Sequence, residues 1–67
     1  VSPEWWAGVA GAIRAGRVAG AIMRLERCPA PRGSADAERA SALRLILSEA
    51  LRLQDWSKIH EVESVLA

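Results

Sequence analysis

Residues 5–27 read WWAGVAGAIRAGRVAGAIMRLER, and the fold turns on whether this is one small-residue helix or two helices broken at Gly16. An unbroken helix would suit a tightly packed helix pair or a membrane segment. Three features favour the break. Gly16 stands where helices commonly end in a left-handed residue, a conformation that glycine adopts freely. The apolar stripe restarts after it, with Val18, Ala21, Ile22 and Leu25 on one face and Arg17, Gly20, Arg24 and Arg27 on the opposite one. The longest uncharged apolar run, Trp5 to Ile13, falls well short of the ~20 residues a spanning helix needs.

Upstream, SPEW (residues 2–5) carries helix-start signals in order: Ser2 as N-cap, Pro3 at the first helical position, and Glu4 facing the positive end of the helix dipole. The first helix then has Trp5, Trp6, Val9 and Ile13 within one core-facing arc. Downstream, CPAPRG (residues 28–33) stops the second helix, because Pro29 and Pro31 push their preceding residues out of the helical region and Gly33 adds a breaker. A third helix restarts at Ser34 or Asp36 and has a core stripe of Ala40, Leu43, Leu47, Ala50 and Leu51. Leu45, Ile46 and Leu53 widen its apolar surface and leave Ser41, Arg44, Ser48, Arg52 and Asp55 as the solvated strip, so this helix is expected to be touched on more than one side. Asp55 caps a fourth helix whose inner face is Trp56, Ile59, Val62 and Leu66. No alternating β-branched run and no hairpin signal argues for a sheet. The expected architecture is all-α: a small single domain over residues 1–67, built of two helical hairpins with helices at about 3–15, 17–27, 34–54 and 55–66.

A shift of 38 residues sets IRAGRVAGAIMRLE (13–26) over LRLQDWSKIHEVES (51–64), with Val18 above Trp56 and Ala21 above Ile59. This echo resembles the helix, tight turn, helix unit of tetratricopeptide-type repeats, although two hairpins are fewer than the three units such arrays stack, and no family follows from it. The small-residue ladder Gly8, Ala12, Gly16, Gly20, with Ala7, Gly11, Ala15 and Ala19 beside it, is expected to let a neighbouring helix pack closely.

A chain of 67 residues buries only about 60% of the surface its unfolded form exposes, so it has little stability to spare. Cys28 is the only cysteine and His60 the only histidine, which rules out an intramolecular disulfide and a structural zinc site and leaves oligomerisation or a partner as the remaining support. A lone thiol, with no basic n-region before the apolar run, leads to an expected cytoplasmic location. A start at Val rather than Met is what a processed or excised piece would show. Residues 1–33 carry five arginines against two glutamates, net +3, and residues 34–67 carry four cations against six carboxylates, net −2. Halves of opposite sign suit packing on each other or on another copy.

Catalytic constellations are missing: there is no second histidine, no nucleophile motif, and the glycines lack the strand and GK[ST] of a phosphate loop. No cofactor, metal or small-molecule substrate is expected. Hydrophobic residues make up 51% of the chain, more than a domain this size hides, so a leftover apolar patch should seek a partner. The expected function is a non-enzymatic protein-interaction module of the adaptor, chaperone, inhibitor or docking kind, binding a partner protein or itself. Its expected contact residues are Trp5, Trp6, Arg17, Arg24, Arg27, Leu45 and Leu53, since tryptophan and arginine dominate interface hot spots. The alternative is a small helix-turn-helix nucleic-acid binder using Arg14, Arg17, Arg24 and Arg27. Against it stand the lack of Asn, Gln, Ser or Thr on that face and a pI of about 8.2, low for a dedicated nucleic-acid binder.

Overall fold

The computed structural model describes all 67 residues and is helical throughout its regular structure. Its four helices are α1 (Pro3–Arg14), α2 (Val18–Glu26), α3 (Ala35–Arg52) and α4 (Trp56–Leu66). Each start that the sequence marks with a polar cap is capped as expected: Ser2 Oγ accepts from the Trp5 amide, Ser34 Oγ from Ala37, and Asp55 from Lys58. Three such caps are worth about 1 kcal/mol each to helices of eleven to eighteen residues. No helix is long and apolar enough to cross a membrane.

The break at Gly16 is real, and its geometry recurs 38 residues later. Gly16 has φ +79°, with its amide bonded to the Ile13 carbonyl and the Arg17 amide to the Ala12 carbonyl at 2.8 Å. Gln54 has φ +54°, with its amide bonded to the Leu51 carbonyl and the Asp55 amide to the Ala50 carbonyl, also at 2.8 Å. Both are the paired 5→2 and 6→1 bonds of a Schellman motif, which satisfy carbonyls left open at a helix end. The echo seen in the sequence is therefore a repeated helix-ending turn: α1–α2 and α3–α4 are hairpins closed by the same three-residue link. In the second link a glutamine holds the left-handed position that glycine fills in the first.

The hairpins stack into a ring, with α1 against α2 and α4, and α3 against α2 and α4. Trp6, Val9, Ile13, Leu25, Leu43, Leu47, Ile59, Val62 and Leu66 fill the centre, with Val9 and Leu47 fully enclosed. Close approach comes from Ala10, Ala21, Ala40 and Ala50, all buried, and from part of the small-residue ladder: Gly8 lies under Arg24 of α2, Ala12 packs against the core and Gly20 lines the notch beside Trp5. Ala7, Ala15, Gly16 and Ala19 of that ladder face solvent, and a Cβ on Gly11 would meet nothing within 4 Å. The ladder serves only in part because its small residues occupy every side of α1, whereas the neighbouring helices cover only some of them.

Two expectations about faces are corrected. Trp56 is 59% exposed although it shares a nominal stripe with Ile59, because it is the first residue of α4 and projects at the end of the bundle. On α3, Arg44 and Ser48 leave the expected solvated strip and are half-buried, while Leu45 and Leu53 stand open as contact residues must, with Ile46 beside them.

Candidate interaction surfaces

The broadest apolar exposure lies on the outer side of α3 and α4. Leu45 and Leu53 are each 58% exposed, Val65 56% and Ile46 44%, whereas a soluble bundle ordinarily turns such residues inward. Leu45, Ile46, Ala50 and Leu53 line a groove of about 510 Å³ together with Glu49, Asp55 and Lys58. A smaller hollow of about 110 Å³ continues it along the α3–α4 seam past Ile46 and Lys58 to Val62 and Val65. The polar groups beside the groove are already paired. Arg52 donates through Nε to Glu49 at 3.0 Å and again through its terminal nitrogen, and Lys58 meets Glu61 at 3.1 Å. The hydrogen bonds from Arg52, and secondarily its charge, hold the Glu49 carboxyl below the usual carboxylate range; the same contact raises Arg52. Both groups are fully exposed, so this pair sets local charge geometry and adds little to stability.

A second surface joins α1 to the outer side of α2. Trp5, Gly20, Met23, Arg24 and Arg27 line a notch of about 260 Å³. The Arg24 guanidinium lies over Gly8, where a Cβ would come within 3.2 Å of its nitrogen, so the absent side chain at residue 8 is what lets this arginine lie down on α1. Arg17, Arg24 and Arg27 are exposed and make no ion pair. The sequence brought Trp5, Arg24 and Arg27 into one candidate set, and the fold brings them together; Met23, 47% exposed and lining the same notch, was missed because the sequence pattern gave it no place on either face of the helix.

Trp6 and Arg14 leave their expected roles. Trp6 is 7% exposed and belongs to the core, its ring edge-on to Trp5 at 4.9 Å and covered by the Arg39 guanidinium at 4.5 Å. Adjacent helical positions diverge by about 100°, so only one of the two tryptophans could point at the centre. Arg39 also donates to the Val65 carbonyl at 3.3 Å, and so ties α3 to both chain-end helices. Arg14, at the end of α1, donates from Nε to Glu63 at 3.1 Å and is thereby drawn towards α4 and away from the α2 arginines. Leu45 and Leu53 lie on the first surface and share no lining residue with the Trp5 notch, so the expected contact residues fall into two separate sites.

No group of three or more His, Cys, Asp or Glu side chains is arranged to hold a metal ion. Cys28 is half-buried and unpaired after α2, and His60 is exposed on α4. No protein-family model matches the chain, and no curated protein or solved structure matches it either.

Proposed function

We propose that this chain is a protein-interaction module without catalytic activity, acting in the cytoplasm through the outer face of α3 and α4. The single observation that carries the reading is the row Leu45, Ile46, Leu53 and Val65, each between 44% and 58% exposed on adjoining helices. About half of each of these four aliphatic side chains remains in water, which forgoes roughly 0.7–1.5 kcal/mol apiece, half the value of full burial, and a partner surface removes that deficit. The charged groups around the row are paired with each other, so docking an apolar partner there strands no lone charge. The lone thiol is what supports the cytoplasmic placement.

Site-specific photo-crosslinking tests the reading. A photoreactive residue at position 45 or 53 is expected to yield protein adducts in cells, and one at exposed Ala19 on α2 is not. Equal adducts from all three positions, or none from 45 and 53, would remove the α3–α4 face from the account.

A second reading rests on the other surface: Arg24 and Arg27 beside the half-buried Trp5, with Arg17 exposed at the start of α2 and none of the three paired with a carboxylate, suit a phosphate backbone. It requires oligonucleotide affinity that falls with salt at a log–log slope of about −2 to −3, the value for three phosphate contacts. It also requires that changing Arg17, Arg24 and Arg27 together to Ala abolish that binding. A flat salt response would leave the protein-interaction reading alone.

A further inference from the structure

We propose that the occupant of the α3–α4 face is a second copy of this chain, packed antiparallel about a two-fold axis that passes beside Leu45. This rests on the interaction reading above and adds to it the identity and geometry of the partner.

The argument is one of spacing. Glu38 lies seven residues before Leu45 and Arg52 seven residues after it, and all three are exposed. Seven residues are almost two helical turns, so the three side chains fall on one line along α3, with Leu45 at its midpoint. A two-fold axis at the midpoint, perpendicular to the helix, sets Glu38 of each copy opposite Arg52 of the other. An isologous interface makes each such contact twice. Ala42 and Ile46, next to Leu45 on the outward side, complete an apolar centre between the two charged ends. Glu49, already held by Arg52, comes opposite the uncharged Ser41 and Ala42 of the other copy.

A parallel pairing fails on the same residues. It would place Glu38 on Glu38, Glu49 on Glu49 and Arg52 on Arg52, and like charges facing each other suppress association. Size also fits. A standard interface takes about 800 Å² from each partner, close to a fifth of this chain's 4275 Å² surface.

Sedimentation velocity and light scattering over a wide concentration range read the result directly. The native chain is expected to reach twice its 7.2 kDa mass as concentration rises, and Leu45→Lys to stay monomeric with an unchanged helical spectrum. Glu38→Arg and Arg52→Glu should each weaken the dimer roughly tenfold or more, because each puts like charges together twice. The double variant Glu38→Arg/Arg52→Glu should regain most of the lost affinity. These positions are exposed, so folding is not at stake, and circular dichroism verifies that in each variant. A native chain that remains monomeric throughout overturns the proposal, as does a dimer indifferent to both single reversals or one that the double reversal does not restore. If the chain is monomeric while position 45 crosslinks to a different protein, the second copy is wrong and the interaction reading stands. If it is monomeric and position 45 crosslinks to nothing, both fall.

Discussion

Truncating Leu47 to alanine is expected to cost about 3 kcal/mol of folding free energy, within the ~2–5 kcal/mol range of buried Leu→Ala changes. Leu47 is fully enclosed near the middle of the longest helix, which packs on both α2 and α4, so the void has no flexible surface into which to collapse. The effect is large relative to the whole. A domain of this length is stable by roughly 3–10 kcal/mol, and for a domain of this size each kcal/mol moves the midpoint by about 4–8 °C. Thermal unfolding followed by circular dichroism should show a drop of about 12–24 °C. Leu53→Ala, a chemically identical change six residues along, should change stability by no more than about 0.5 kcal/mol, since Leu53 is mostly in water. If the two variants unfolded together, the assignment of core and surface on α3 would be wrong.

The second large effect is conformational and not one of packing. Gly16→Val is expected to destabilise the chain by about 2 kcal/mol, because a residue with a Cβ in the left-handed region costs about 1–2 kcal/mol and β-branching adds to it. Nothing lies within 4 Å of where that Cβ would be, so steric clash with a neighbour contributes nothing. The matching position makes the internal control. Gln54 holds φ +54° with a full side chain, so Gln54→Gly should move stability the other way, by less than about 1 kcal/mol after the greater freedom of unfolded glycine is subtracted. Denaturant midpoints of the two variants on either side of the native chain would establish that both turns carry the same strain-bearing position.

Helix ends were legible because capping is a local, one-dimensional signal. Ser2 with Pro3, Ser34, Asp55 and the Pro29–Pro31 pair act on their own neighbours whatever the rest of the chain does. Faces were less so. On α3, apolar residues run nearly all the way round, and which of them are covered depends on where α2 and α4 arrive. Arg44 and Ser48, expected on the solvated strip, end half-buried, while Leu45 and Leu53, expected as contact residues, stay bare. Gln54 carries no turn signal of its own; only its register with Gly16 in the 38-residue echo marks it. The candidate site was half legible for a related reason. Trp5, Arg24 and Arg27 lie on helix faces that the sequence orients correctly, while Trp6 was lost to the core and Arg14 to Glu63 by contacts from distant parts of the chain.

The ring of helices also has one seam unlike the other three. Three of its seams join helices consecutive in the chain, across links of three, eight and three residues. The fourth, between α1 and α4, joins elements separated by two whole helices, so its closure carries the largest loop entropy of the four. It is fastened by the Arg14–Glu63 bond and by Arg39 gripping Trp6 and the Val65 carbonyl. Most of the bare apolar row, Leu45, Ile46 and Leu53, lies on α3, away from that clasp. The seam that joins the two chain ends and most of the surface left for a partner thus lie on different helices.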